Sequence, residues 1–188
     1  MRQPRTLIFG GARSGKSAHA EQLAAASGKA VVYLATAAVG DTEMAARIAL
    51  HRQRRQQANW QTVEENLALG AAMIAHSKPD NLLLVDCLTV WLSNLLFCEE
   101  KSYPEIGRIE APLRFTQERE TFLRALKEAP GEIVLVSNEV GMGIIPMGAI
   151  SRWFVDEAGR LNQAVAASCE RVQWVAAGLP LSLKGGAC

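Results

Sequence analysis

Apolar, β-rich segments alternate along the chain with stretches of strong helix formers. Continuous apolar runs of this length are typical of strands that are buried on both faces of a sheet. Strands separated by helices in this way predict a parallel sheet that helices cover on both faces. The predicted strands are Leu7–Phe9, Ala30–Thr36, Trp60–Glu64, Leu82–Asp86, Gly131–Ser137 and Val172–Ala177.

The intervening segments favour helices by composition and by the spacing of their apolar residues. Asp41 provides an N-cap for one of them, and the stretch from Pro104 to Pro112 is expected to be irregular. Residues after Ala177 are expected to form a C-terminal tail. The predicted helices are Ala18–Ala26, Thr42–Gln57, Leu67–His76, Leu88–Phe97, Leu113–Ala129 and Ile150–Ser168.

Length and composition narrow the class of protein further. The chain has 188 residues, of which 49% are hydrophobic and 21% charged, so we expect residues 1–188 to form a single globular domain. A net charge of +1 does not favour a nucleic-acid partner. No apolar run approaches the roughly 20 residues that span a bilayer, and the cysteines form no C-x-x-C pair. We therefore expect a cytoplasmic protein with reduced thiols and without membrane insertion.

A glycine-rich loop joins the first predicted strand to the first predicted helix. It matches the pattern G-x-x-x-x-G-K-[ST], and the strand and helix on either side make a chance glycine turn a poor alternative. In such loops the backbone N–H groups and the helix N-terminus cradle phosphates, the lysine reaches the β- and γ-phosphates, and the hydroxyl ligates Mg²⁺. The sequence therefore predicts nucleoside triphosphate binding in a P-loop NTPase fold by Gly10, Gly11, Ala12, Arg13, Ser14, Gly15, Lys16 and Ser17.

A carboxylate follows the apolar strand Leu82–Val85. Because ligands bind at the carboxyl ends of strands in parallel sheets, we expect Asp86 to support Mg²⁺ beside Ser17. The alternative is an ordinary aspartate that begins a turn.

One histidine lies among arginines on the predicted helix after Asp41. Helical spacing places His51 beside Arg47, Arg54 and Arg55, which attract phosphates and favour a neutral imidazole. A neutral imidazole next to a bound triphosphate is a candidate nucleophile. Two alternatives remain open on chemistry alone, namely a structural histidine and a solvated arginine face.

The sequence does not assign a role to two further segments that carry polar residues. Asn138 and Glu139 follow a buried strand, where they either point towards the nucleotide or a second substrate or belong to a structural turn. The segment Gly159–Gln163 carries polar residues within a helix.

Six sequence blocks occur along the chain in a fixed order: 10–17, 33–36, 43–48 leading to His51, 60–64, 138–146 and 158–163. In this order they resemble the bifunctional adenosylcobinamide kinase / adenosylcobinamide-phosphate guanylyltransferase family of cobalamin biosynthesis. The resemblance covers nearly the whole chain.

The resemblance implies a RecA-like fold, a homotrimer, and GTP and ATP as substrates with Mg²⁺. It places the histidine that carries GMP covalently at His51. A carboxylate at Glu64 accepts both the ring N–H and the amino group of guanine, which would select GTP. The further nucleotide contacts implied by the family are Ala35, Thr36, Ala37, Arg52, Gln53, Arg54, Arg55, Glu64 and Asp86.

The implied reactions are phosphorylation of adenosylcobinamide and transfer of GMP to adenosylcobinamide-phosphate, with pyrophosphate released. Two positions depart from the family pattern: Gln56 replaces a common proline, and Asp86 replaces the glutamate of some relatives. The alternatives are a monofunctional P-loop kinase, which has no use for His51, and a nucleotide-gated binding module.

Overall fold

The sheet contains the six predicted strands and one further strand. The computed structural model describes residues 3–37, 59–99 and 101–186. Within them, the prediction of a C-terminal tail after Ala177 is wrong, because that segment forms β7. The strands are β1 Arg5–Gly10, β2 Ala30–Ala35, β3 Gln61–Glu64, β4 Asn81–Asp86, β5 Glu132–Asn138, β6 Arg171–Ala176 and β7 Leu179–Lys184.

Five helices in the described residues lie close to the predicted ranges, with ends that differ by no more than a turn. The predicted helix Thr42–Gln57 lies outside the described residues. The stretch from Pro104 to Pro112 is irregular, as expected. The helices are α1 Lys16–Ala26, α2 Leu69–His76, α3 Leu88–Leu96, α4 Leu113–Glu128 and α5 Ala149–Ser168.

The strand order β3-β2-β4-β5-β1-β6-β7 places β1 inside the sheet. Strands β1 to β6 pair in parallel, and β7 pairs antiparallel with β6 across a tight turn. One strand, β5, separates β1 from β4, so the phosphate loop and Asp86 leave the same edge of the sheet about 10 Å apart. The prediction of a mostly parallel α/β sheet is confirmed.

Alternate residues of the buried strands enter two separate apolar clusters. Leu7 joins the larger cluster, which lies under α2 to α5, whereas Ile8 joins a smaller cluster with Ala20 and Ala24 of α1. Helices therefore cover both faces, which explains the continuous apolar strands.

A fully buried arginine joins the amino ends of β1 and β5 to the end of α4. The Arg5 guanidinium donates from Nε to the Leu126 carbonyl at 3.0 Å and from Nη1 to the Gly131 carbonyl at 3.2 Å. It also donates to the carbonyls of Gln3 and Ala129. Two of these acceptors, Leu126 and Ala129, lie at the C-terminal end of α4, where helix carbonyls lack intrahelical donors and favour a cation.

Candidate active site

The glycine-rich loop has the backbone conformation that its sequence predicts. Arg13 and Gly15 have positive φ values of 56° and 95°, and α1 begins directly afterwards at Lys16. The first turn of α1 therefore faces the cradle with N–H groups that have no intrahelical partner. The Ser14 hydroxyl is buried and lacks a hydrogen-bond partner among the described residues. A buried orphan hydroxyl in this loop fits a site that a phosphate completes.

The turn between β6 and β7 packs against the phosphate loop. The Gly178 amide donates to the Ser14 carbonyl at 2.8 Å, and a Cβ added to Gly15 would lie 3.0 Å from the Gly178 Cα. A Cβ on Gly10 would lie 2.2 Å from the Val175 carbonyl oxygen. Glycine is required at position 10 because backbone, rather than a flexible side chain, fills the space.

We expect Gly10→Ala to destabilise the protein by about 1–3 kcal/mol, the usual cost of overpacking, and to weaken nucleotide binding by shifting the loop. Gly11→Ala is the matched control for stability, because a Cβ there meets nothing within 4 Å. Urea denaturation of the two variants measures the difference. Equal midpoints would show that the loop absorbs the added methyl group without strain.

Lys16 and Asp86 lie close enough to interact electrostatically. The Lys16 ammonium is buried and donates to the Gly11 carbonyl at 3.0 Å. Burial lowers the pKa of Lys16, and the nearby Asp86 carboxylate opposes that shift. Tyr33 donates its hydroxyl to Asp86 Oδ2 at 2.9 Å and so orients the carboxylate. The half-buried Ser17 and Asp86 supply the hard oxygen donors that Mg²⁺ prefers.

Cys87 directly follows Asp86 in the chain, and its side chain is buried. Burial raises the pKa of the Cys87 thiol to about 12, so it is protonated and uncharged at neutral pH. The buried Thr36 hydroxyl donates to the Cys87 carbonyl and accepts from the Cys87 amide, both at 2.8 Å. These bonds hold the ends of β2 and β4 together at the edge that carries Asp86.

The polar residues after β5 are held by structural contacts. The Glu139 carboxylate accepts from the Gly141 amide at 2.6 Å, and the Asn138 amide donates to the Thr89 hydroxyl at 2.7 Å. Asn162 of α5 accepts from the Ser137 hydroxyl at 2.6 Å and donates to the Asn138 carbonyl. Part of the segment Gly159–Gln163 therefore fixes the end of β5, a role that the sequence pattern left open.

The remaining predicted nucleotide contacts fall into two groups. Ala35 and Glu64 lie side by side at the carboxyl ends of β2 and β3, with Thr36 and Ala37 immediately after β2. Glu64 is exposed to solvent. The second group lies outside the described residues and comprises His51, Arg52, Gln53, Arg54 and Arg55.

Sequence reasoning missed three residues that shape the site, namely Tyr33, Cys87 and Gly178. Tyr33 and Cys87 lay within or beside apolar runs, where a core role was the natural interpretation. For Gly178 a signal existed, because Ala177 and Gly178 followed by alternating leucines are typical of a hairpin.

β1, the phosphate loop and α1, together with the Asp86 carboxylate at the end of β4, define a P-loop NTPase. Solved structures agree with this class at the level of the fold. A KaiC-like protein from Pyrococcus horikoshii OT3 matches with a TM-score of 0.50 at 14% identity, over 91% of this chain and 70% of that one. An ATP synthase subunit from Nanoarcheaum equitans matches with a TM-score of 0.54 at 14% identity, over 92% of this chain and 47% of that one. Within the described residues, none of the helices has the length and apolarity that crossing a membrane requires.

Sequence comparison identifies the family. The family model described as cobinamide kinase / cobinamide phosphate guanyltransferase matches residues 6–183, and the chain belongs to that family. The bifunctional adenosylcobalamin biosynthesis protein CobP of Pseudomonas aeruginosa is 55% identical over 96% of this chain and 98% of its own length. The corresponding protein CobU of Escherichia coli is 41% identical, over 95% and 98%. The chain is thus a bifunctional kinase and guanylyltransferase that uses ATP and GTP as substrates, and the predicted family, activity and RecA-like fold class are confirmed.

Proposed function

We propose that both reactions use the one nucleotide site at the phosphate loop and that GMP transfer proceeds through a covalent GMP–His51 intermediate. The observation that carries the proposal is the preformed cradle from Gly10 to Ser17, with the Ser14 hydroxyl buried and lacking a partner among the described residues. The family match, which extends across the position of His51, supports the second half.

In the kinase reaction, the aminopropanol hydroxyl of adenosylcobinamide attacks the γ-phosphate of ATP or GTP and the nucleoside diphosphate leaves. Lys16 and the N–H groups at the start of α1 stabilise the charge on the transferred phosphoryl group. Ser17 and Asp86 would hold Mg²⁺, which would neutralise charge on the β- and γ-phosphates. Tyr33 keeps Asp86 oriented towards that position.

In the guanylyltransferase reaction, neutral His51 attacks the α-phosphate of GTP and pyrophosphate leaves. The phosphate of adenosylcobinamide-phosphate then attacks the same phosphorus, forms adenosylcobinamide-GDP and releases His51. Two displacements replace one difficult one, and the arginines that flank His51 favour its neutral form.

We further propose that Glu64 binds the guanine base. Ala35 lies beside it in the sheet, which places both at the carboxyl ends of their strands together with Thr36 and Ala37. The last group of contacts would come from the residues after His51, and their arginines suit the triphosphate. This group comprises Arg52, Gln53, Arg54 and Arg55.

The wider organisation follows the family. We propose that residues 1–188 form one domain, that the protein acts in the cytoplasm, and that it assembles as a homotrimer. Light scattering in solution tests the assembly, because a monomeric mass would contradict it.

The covalent step is tested by incubating the protein with Mg²⁺ and GTP labelled on the α-phosphate, followed by a denaturing gel. We expect acid-labile, alkali-stable label on the wild type and none on His51→Ala, because a phosphoramidate requires the imidazole. His76→Ala is the matched control and should retain the label, since His76 lies at the far end of α2 from the phosphate loop.

Two outcomes would contradict this proposal. Label on His51→Ala would place the intermediate on another residue. An unlabelled wild type that still phosphorylates cobinamide would argue against the GMP–histidine step and leave the kinase reaction intact.

A further inference from the structure

The loop between β5 and α5 exposes several large apolar side chains at the edge of the sheet that carries the phosphate loop. We define the β5–α5 patch as Met142, Ile144, Ile145 and Met147. Ile144 is 96% exposed and Ile145 is 77% exposed, so the cluster contributes almost nothing to the core. Contiguous exposed apolar residues usually mark a binding surface.

The loop that carries this patch begins beside the phosphate loop. The Glu139 amide donates to the Gly10 carbonyl at 2.9 Å, and Gly10 pairs with Asn138 at the ends of β1 and β5. The loop therefore leaves the sheet at the residue where the phosphate cradle begins. An acceptor that receives a phosphoryl group must approach this edge, because the reacting atoms have to come within about 3–3.5 Å of each other.

The patch is held in place although its side chains are exposed. Glu139 accepts from the Gly141 amide at one end of the loop. At the other end Arg152 donates to the Pro146 carbonyl at 3.1 Å and to the Met147 carbonyl. Because its backbone is held at both ends, the patch has less conformational freedom to lose when a ligand covers it.

The patch offers no cationic side chain to a phosphate group. Residues 140–151 contain no charged side chain. Their apolar side chains, two of them adaptable methionines, suit the apolar face of a large ring system, and the backbone amides of an irregular loop suit its amide substituents. Cobinamide, the acceptor of this family, is a macrocycle of that kind with the reactive hydroxyl at the end of a flexible arm.

We propose that the β5–α5 patch is the docking surface for the corrin ring, which places the aminopropanol arm over the phosphate loop. Ile106, which is 86% exposed, extends the surface, because the Ala149 amide donates to the Glu105 carbonyl at 3.0 Å and brings that segment to the start of α5. The proposal rests on the kinase chemistry described above and adds the position of its second substrate.

The test is a steady-state kinase assay with ATP and varied adenosylcobinamide. We expect Ile144→Ser/Ile145→Ser to raise the KM for the corrinoid at least about tenfold, because burial of one isoleucine is worth about that factor in affinity. The KM for ATP should stay within about twofold. Met147→Ser, at a residue that is 94% exposed, should shift the corrinoid KM in the same direction.

Leu181→Ser/Leu183→Ser is the matched control. These residues of β7 are 55% and 56% exposed and lie on the side of β1 opposite β5, so the double variant removes exposed apolar surface away from the proposed site. It should leave both KM values unchanged.

Three results would overturn the proposal. The first is an unchanged corrinoid KM in both patch variants. The second is an equal rise in the KM for ATP, which would mean that the loop acts through the phosphate cradle. The third is a loss of assembly in light scattering that accounts for the raised KM, which would assign the patch to contact with a second copy. The GMP–histidine step is measured separately by self-labelling without corrinoid, so its failure would leave this assay interpretable.

Discussion

Lys16→Met is expected to lower kcat for phosphorylation of cobinamide by about 10³-fold, because the ammonium stabilises charge that develops on the transferred phosphoryl group. The stability of the folded state should not fall. Lys16 is buried, and its replacement by methionine removes the free-energy cost of keeping a cation away from water. A rapid-quench or coupled assay at saturating ATP and adenosylcobinamide measures the rate, and thermal unfolding measures the stability.

The pKa of Lys16 gives this prediction a pH signature. Because burial lowers the pKa in the folded state, the unfolded chain binds more protons between the two pKa values. The wild type should therefore gain stability relative to Lys16→Met as the pH rises through that interval. Below the folded-state pKa the difference should be constant.

Lys184→Met is the control for the loss of a lysine. Lys184 is exposed on β7, donates to the Ala166 carbonyl and lies opposite Val172 near the start of β6, at the edge of the sheet away from the phosphate loop. Its kcat should stay within about twofold of the wild type. A Lys16→Met variant that keeps more than a tenth of the wild-type kcat would mean that Lys16 contributes to binding only.

Arg5→Met is expected to lower the free energy of unfolding by about 3–5 kcal/mol. Several buried carbonyls lose their donor at once, and each stranded group costs about 1–3 kcal/mol before relaxation. For a chain of this size the loss corresponds to a fall in Tm of about 6–20 °C. Urea denaturation followed by circular dichroism measures it. Arg5→Lys should lose most of the same stability, because an ammonium cannot reproduce the planar fork of donors.

Arg171→Met is the matched control, since Arg171 pairs with the neighbouring Thr6 in the sheet but is exposed. It should change the stability by about 0.5 kcal/mol or less. Arg5→Met with wild-type stability would show that water reaches the carbonyls at the end of α4 and replaces the guanidinium.

The sequence was sufficient for the parallel core of the fold. Buried strands such as β4 and β5 consist of continuous apolar runs, and both were predicted within a residue of their observed bounds. The phosphate loop was predicted because its motif specifies both chemistry and backbone. β7 was missed because it is an exposed edge strand that contains Pro180, and it therefore lacks the apolar continuity of the buried strands.

The supporting contacts could not be predicted, because they join residues that are distant in the chain. Arg5 satisfies carbonyls near residue 126, and Asn162 bonds to Ser137 from another element. Neither pairing leaves a periodic trace in the sequence. For the site, the sequence and the family resemblance named the candidate residues, whereas the orientation of Asp86 by Tyr33 required coordinates.

The position of β1 between β5 and β6 has a consequence for the order in which the protein is made. Arg5 pairs with Ile133 and Thr6 pairs with Arg171, so the first described strand to leave the ribosome acquires both neighbours late. Gly178, which bonds to the phosphate loop, is translated later still. Nascent chains that lack this hairpin cannot form the Gly178–Ser14 hydrogen bond, so the phosphate loop gains this support only once synthesis has passed the hairpin. Once the hairpin is in place, cellular nucleotide that binds the folded protein shifts the folding equilibrium towards the complete sheet by mass action.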